Sequence, residues 1–229
     1  SIAERWTEAY KKTILESRTE TANLLLRALK ETDHEVEQFV SASAIGAYPS
    51  SKTQLYTESF EKYNPGFLGT VVEAWEKAAD QFETLGLEVA KVRVGVVLAK
   101  NGGALEKLIQ PIKYYVGSPL GDGQQWQSWI HLEDLAGIFK EVILNKNTGV
   151  YNAVAPAPVT NETLTKEAAL ILNKPLIFPK VPAFMLKLIL GEMAAVVLES
   201  QKVSSQKIEH QGYSFKYTQL NQALKDLLA

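Results

Sequence analysis

Gln38-Phe39-Val40-Ser41-Ala42-Ser43-Ala44, running on into Ile45-Gly46-Ala47-Tyr48, is a short run of apolar and small residues with no charge. Such a run suits a strand buried on both faces, the kind found in parallel sheets. A helix is expected on its amino side, where Ala22, Leu25, Leu26 and Leu29 recur at i, i+3, i+4 and i+7 and Thr32-Asp33 end the pattern. On its carboxyl side a polar loop runs from Tyr48 to about Pro65. A second helix follows, with Phe67, Val71, Trp75, Ala78 and Phe82 on one stripe and Gly86 as its stop. Val89 to Leu98 reads as the next strand, and Leu105, Leu108, Ile109 and Ile112 mark a short helix after the Asn101-Gly102-Gly103 turn. Gln124 to Ile130 reads as an edge strand with two tryptophans. Leu132, Leu135, Ala136, Phe139 and Ile143 form another amphipathic helix, and Gly149 to Ala153 a further strand. Helix and strand alternate through the first 155 residues, which predicts a parallel α/β sheet covered on both faces.

Beyond that point the character changes. Pro156, Pro158, Pro175, Pro179 and Pro182 punctuate three more helical patterns. Pro182 suits the first turn of one. Ser204 or Ser205 is positioned to cap the next, with Gly212 at its end, and Thr218 to cap the last. Tyr213, Phe215 and Tyr217 alternate as a strand would.

Composition narrows the function. With 46% hydrophobic and 22% charged residues, the 229-residue chain belongs with globular proteins. A formal net charge of −2 lacks the basic footprint of a general nucleic-acid binder. The absence of cysteine excludes disulfides, iron–sulfur clusters, thiolate zinc sites and cysteine nucleophiles together. It fits a reducing compartment, and a cytoplasmic location is the expectation. His34, His131 and His210 are far apart, so no metal site is expected. The most apolar stretch, Phe184 to Leu198, is interrupted by Lys187 and Glu192 and falls short of the ~20 residues a bilayer span needs. No membrane partner is expected.

Three strings hold candidate chemistry. Ser43 stands at the carboxyl end of the first strand, where open α/β sheets bind ligands, although a small residue there also serves close packing. Arg93-Val94-Gly95-Val96-Val97-Leu98 ends in the Gly102-Gly103 loop ahead of a helix, which is either an anion-holding helix start or a plain turn. Gly117 to Asp134 places His131 and Asp134 three apart at a helix start, where an Asp favours the helix dipole and a structural cap is the ordinary role.

Read in order, SASAIGAY (41–48), Thr57-Glu58, Trp75-Glu76-Lys77-Ala78-Ala79, RVGVVLAKNGGAL (93–105), PLGDGQQWQSWIHLEDLAG (119–137) and NAVAPAPVTNETLT (152–165) resemble the atypical extended short-chain dehydrogenase/reductases, the NAD-dependent epimerase/dehydratase-like proteins. RWTEAYKKTILESRTET (5–21), GEMAAVVLESQKV (191–203) and GYSFKYTQLNQAL (212–224) extend the resemblance over essentially the whole chain. It implies a Rossmann-type domain over residues 1–101 and 131–156, interleaved with a smaller substrate or C-terminal domain over 102–130 and 157–229. It implies a nicotinamide cofactor, NADP ahead of NAD, and a small-molecule substrate of sugar-nucleotide or carbonyl/hydroxyl type, with a homodimer as the assembly considered. It places Ser43 at the catalytic Ser/Thr position, with Tyr48 the nearby phenol. Arg18, Ser41, Ala42 and the backbone of Gly95, Val96 and Val97 fall beside the cofactor. Arg93, Gly121, Trp129 and His131 fall along the substrate cleft.

Two departures accompany the resemblance. None of the 14 glycines forms G-x-G-x-x-G or G-x-x-G-x-x-G. A βαβ unit takes ~30 residues, so the chain is expected to be the C-terminal part of a longer protein. Val71 and Trp75 stand where the family's Tyr-x-x-x-Lys belongs. In that pair the lysine lowers the pKa of a proton-transferring phenol one helical turn away. The one Tyr-x-x-x-Lys present, Tyr48 to Lys52, contains Pro49 and reads as a loop. Two functions follow as expectations: an atypical NAD(P)-dependent oxidoreductase or epimerase, and a catalytically silent NADP-binding sensor or interaction protein.

Overall fold

The computed structural model describes Ile2 and residues 4–228. A first helix, α1 (Glu8–Glu31), is capped by Thr7, whose side chain accepts from the Tyr10 amide. It leads to β1 (Gln38–Ala44), a tight turn at Ile45–Ala47 and the two-residue β2 (Leu55–Tyr56). Next, α2 (Phe67–Asp80) tightens into a final 3-10 turn that Gly86 closes at φ 75°. Then come β3 (Glu88–Val94), β4 (Val96–Leu98), α3 (Gly103–Lys113), β5 (Trp126–Gln127), β6 (Trp129–His131), α4 (Leu132–Leu144) and β7 (Gly149–Ala153). The last third holds β8 (Val159–Thr160), α5 (Asn161–Ile171), α6 (Ala183–Leu190), α7 (Ala195–Leu198), β9 (Lys202–Val203), α8 (Gln206–His210) and α9 (Leu220–Leu228).

Among the described residues the main sheet is parallel, in the order β1-β3-β7. Alternation along the strands divides its side chains between two faces. Phe39, Leu87 and Val89 pack with Ala78 and Ala79 of α2, with Phe82 of the 3-10 turn that follows it, and with Ala22 and Leu26 of α1. Phe39 stacks on Phe82 with ring centres 3.6 Å apart. On the other face Ala90, Val92 and Tyr151 meet Ile138 and Val142 of α4. A second core joins α3, α5 and α9 around the fully buried Trp129. The segment from Glu199 to Ser204 returns between these bodies. Ser200 bonds Ser50, Ser51 and Trp126, and Ser128 bonds Gln201 and Val203.

Four expectations change. Val89–Leu98 is two strands, because the chain shifts partners at Gly95. The Gly95 amide donates to the Ala153 carbonyl and the Val96 amide to that of Ser128, and β4 then pairs β6. A Cβ on Gly95 would lie 2.3 Å from the Ser128 carbonyl oxygen and 2.8 Å from Val154 Cγ1. Gly95→Ala should therefore lower the unfolding free energy by about 1–3 kcal/mol in urea titrations, since backbone has to yield. Stability equal to wild type would show that this approach relaxes freely.

The expected edge strand at 124–130 is instead β5 and β6. Trp129 and Ile130 are fully buried, because β6 continues a parallel pair beneath α4. In α4 the buried positions are Asp134, Ile138 and Val142, while Leu132 and Ile143 lie half exposed. Tyr213 to Tyr217 forms no strand. Its polar groups go to Asp134 instead of a neighbouring ladder.

Candidate functional site

Parallel register lines up Ser43, Arg93 and Asn152 across β1, β3 and β7, near the carboxyl ends of all three strands. All three are buried. Above this row, α2 presents Glu76, which is 2% exposed. Its Oε1 accepts from Ser43 Oγ at 2.5 Å and from Arg93 Nε at 2.8 Å. Its Oε2 accepts from Arg93 Nη2 at 2.8 Å and from the Tyr63 hydroxyl at 2.7 Å. Both carboxylate oxygens are thus held by a bidentate guanidinium and one hydroxyl each, the geometry that makes a buried ion pair tolerable.

Burial pushes the Glu76 carboxyl up, but the Arg93 hydrogen bonds and charge, with Ser43 and Tyr63, outweigh it and hold the acid below its ordinary value. Burial and the adjoining carboxylate push the Tyr63 phenol well up. Tyr48 is also raised by burial. Its hydroxyl donates to Asn152 Oδ1 at 2.8 Å, and the Arg93 guanidinium sits 4.9 Å from its ring centre. Asn152 is fixed in turn: its amide nitrogen donates to Glu58 Oε1 and its side-chain nitrogen to the Ser204 carbonyl.

Ser43, Tyr48 and Arg93 are therefore brought together. Ser41 and Ala42 precede them on the same strand, and Ser41 Oγ donates to the Ala42 carbonyl at 2.9 Å. The amides of Gly95 and Val96 are spent within the sheet, and Val97 packs against the α4 core. Arg18 lies on α1, half-buried, with Nη1 on the Ile14 carbonyl and the guanidinium 5.5 Å from the Trp75 ring centre. Trp75 is half-buried there, and Val71 packs with Trp6 and Ile14.

The other cleft candidates sit elsewhere. Gly121 forms a turn at φ 61°, with its amide on the Val181 carbonyl. Trp129 donates to the Ala157 carbonyl from inside the second core. His131 is the α4 N-cap: Nδ1 accepts from the Glu133 amide, the ring stacks on Tyr217, and Nε2 lies 3.3 Å from Asp226 Oδ2. Lys52 reaches Asp122 on the surface, not Tyr48.

Sequence reasoning missed Glu76, Tyr63 and Asn152. A signal for Glu76 existed. It shares a helix face with Val72 and Ala79, both buried, at i−4 and i+3. A charge within an apolar stripe calls for a buried partner. An open cavity of about 650 Å³ adjoins the Asn152 end of the row, lined by Thr57, Lys207 and His210 and by Asn152's partners Glu58 and Ser204, among others. Water reaches its groups freely, so the buried network is the better place for controlled proton transfer.

A parallel sheet flanked by helices, with Glu76 of α2 bound to Ser43 and Arg93 near the strand ends, defines a Rossmann-type α/β protein. Comparison places it more closely. An epimerase family protein of Staphylococcus aureus strain MRSA252 is 38% identical over 230 residues, covering 100% of this chain and 76% of that protein. One from Staphylococcus haemolyticus is 37% identical over 229 residues, covering 100% and 76%. The crystal structure of human epimerase family protein SDR39U1 with NADPH matches with a TM-score of 0.89 and 31% identity, over 99% of this chain and 77% of that one. A nucleoside-diphosphate sugar epimerase from Corynebacterium glutamicum matches with a TM-score of 0.77 and 29% identity, over 98% and 44%. A family described as a domain of unknown function, DUF1731, matches residues 181–227. The chain belongs to the epimerase family, within the extended short-chain dehydrogenase/reductases.

Proposed function

We propose that this protein serves NAD(P)-dependent oxidation–reduction or epimerisation at a carbon bearing a hydroxyl or carbonyl, with Ser43 and Glu76 carrying the proton. The observation that supports this is the 2.5 Å bond from Ser43 Oγ to Glu76 Oε1, locked by Arg93. Because Ser43 donates to Glu76, its oxygen lone pairs remain available to a substrate hydroxyl. A proton leaving that hydroxyl passes to Ser43 while the serine proton passes to Glu76, and the reverse sequence protonates an alkoxide. Arg93 keeps Glu76 ionised and ready to accept. Tyr63 fixes the second carboxylate oxygen.

The donor set fits a nicotinamide dinucleotide. Ser41 offers a hydroxyl oxygen on β1, and Arg18 has guanidinium N–H groups beyond those on Ile14 and Ser17 for a phosphate or ribose. That group would supply or accept the hydride. The human relative was crystallised with NADPH, which favours NADP. A sugar nucleotide is the substrate class suggested by the Corynebacterium relative.

A second reading is a silent NADP-binding protein, favoured by Val71 and Trp75, neither of which can exchange a proton. Calorimetric titration with NADPH, followed by its oxidation against a panel of carbonyl compounds and keto-sugar nucleotides, separates the two. Turnover supports the enzyme; binding with no turnover across the panel supports the silent protein. Ser43→Ala should leave NADPH affinity unchanged and lower turnover on the order of 10²-fold, by losing a bond made chiefly in the transition state. Rates within threefold of wild type would remove Ser43 from the reaction.

A further inference from the structure

Tyr48 carries a phenol beside the row, but its proton is committed to a group that cannot use it. The hydroxyl donates to Asn152 Oδ1 at 2.8 Å. That oxygen belongs to an amide, which neither takes up a proton nor hands one back near neutral pH. Asn152 is not free to turn away either. Its side-chain nitrogen donates to the Ser204 carbonyl and its backbone amide to Glu58 Oε1. Ser43 is as deeply buried, yet its partner is the Glu76 carboxylate, a base. The two hydroxyls therefore differ in chemistry, not in burial.

What Tyr48 offers the row is its ring. The Arg93 guanidinium carbon lies 4.9 Å from the ring centre, inside the ~6 Å over which an aromatic face attracts a cation. Both residues are buried, and such attraction is strongest where water is excluded. Arg93 needs a fixed orientation, because Nε and Nη2 must each meet a different oxygen of Glu76 at 2.8 Å. A flat guanidinium resting on a ring has few other orientations open to it. The ring is itself held at both ends. Its face stacks on Tyr56, with centres 5.0 Å apart and planes 15° apart, and its hydroxyl is tied to Asn152. Phe60 closes the cluster edge-on against both tyrosines.

We infer that Tyr48 is a positioning residue: its ring holds the Arg93 guanidinium in the bidentate register on Glu76, and its hydroxyl takes no part in proton transfer. As a statement about turnover this rests on Ser43 and Glu76 carrying the proton; the hold on Arg93 does not. The Tyr48-x-x-x-Lys52 string then needs no proton chemistry, since Lys52 reaches Asp122 and the phenol reaches Asn152.

Exchange of the Arg93 Nε–H with solvent, followed by NMR on 15N-labelled protein, reads the register directly. Among the described residues no other arginine pairs with a carboxylate, which singles out its signal. In wild type the exchange should be far slower than at the exposed Arg5 and Arg27. Tyr48→Phe keeps the ring and should stay within about twofold of wild type. Tyr48→Leu and the bulkier Tyr48→Met remove it and should speed exchange roughly tenfold, the factor that a lost desolvated ring–cation contact corresponds to. Phe82→Leu removes a buried ring from the α1–α2 core and should leave Arg93 near wild type, as the control for general loosening. Three exchange results would overturn the positioning role: a wild-type rate equal to that of Arg5 and Arg27, no acceleration in a folded ring-less variant, or equal acceleration in Phe82→Leu. Where wild type turns over a carbonyl compound, Tyr48→Phe should keep its rate within about threefold, and a loss on the order of 10²-fold would make the hydroxyl catalytic and overturn it too. A wild type without turnover would count against the Ser43–Glu76 pair alone, and exchange, which needs no substrate, would still decide for Tyr48.

Discussion

Arg93→Met should lower the unfolding free energy by about 3–5 kcal/mol at neutral pH, because it leaves the Glu76 carboxylate buried without its counter-charge. Arg93 supplies two of the four hydrogen bonds that Glu76 accepts, and the whole of the neighbouring positive charge in that cluster. The loss should depend on pH in a definite sense. In wild type the folded Glu76 pKa is depressed below the ordinary value of 4.5, so its contribution is complete above that value and disappears as pH falls through the folded pKa. In Arg93→Met, burial acts unopposed by the guanidinium and lifts the folded pKa. The variant then takes up a proton on folding, and its deficit relative to wild type shrinks as pH falls from 7 towards 4. Adding Glu76→Gln should recover part of the loss, since an amide can be buried more cheaply than an unpaired charge. Urea titrations of the two single variants and the double variant, at several pH values, measure the coupling. A coupling near zero, or a deficit that does not change with pH, would contradict the account of Glu76 as a buried carboxylate held ionised by Arg93.

Asp134→Ala should cost about 2–5 kcal/mol, because it strands two backbone amides at once and removes one of the two acceptors of the Tyr213 phenol. Asp134 is 2% exposed in the first turn of α4. Its Oδ1 accepts from the Tyr213 hydroxyl at 3.0 Å and the Lys216 amide at 2.8 Å, and its Oδ2 from the Tyr217 amide at 2.9 Å. Tyr213 reaches that position by lying across Gly137, where a Cβ would fall 2.3 Å from the phenol oxygen. Tyr217 stacks on His131 at 3.9 Å, so the same carboxylate ties the start of α4 to the segment feeding α9. Asp134→Asn keeps one acceptor oxygen and should fall between wild type and alanine. Hydrogen exchange at the Lys216 and Tyr217 amides should accelerate before global unfolding, since the lost bonds are local. Unchanged exchange at those two amides would show that Asp134 does not hold the segment.

Much of the architecture was legible along the chain. The first strand was read at Gln38–Ala44, the bounds of β1, because a run of uncharged, small and apolar residues has few other stable homes. The helix stop at Gly86 was legible because only the left-handed conformation at that point serves it, at φ 75°. His131 and Asp134 were read as a cap before a helix, and His131 does accept from the Glu133 amide. The α4 phase was misjudged because Leu132 and Ile143 are as apolar as the residues that pack. Which face turns inward depends on what lies beneath it, not on the helix alone.

The site divides in the same way. Sequence by itself placed Ser43 at the end of a buried strand, and with it the resemblance to the epimerase family, since hydroxyls, glycines and their spacing are local properties. The partner of Ser43 was decided by tertiary structure. Glu76 lies 33 residues away on α2, and Arg93 and Asn152 reach the same row only through parallel strand register. Register is set when three strands pack between two layers of helices, and nothing in the local sequence of any one strand states it. The exposed face of α6 follows the same rule. Its apolar residues are plain in the sequence, but that they are left uncovered is a property of how the rest of the chain folds around them.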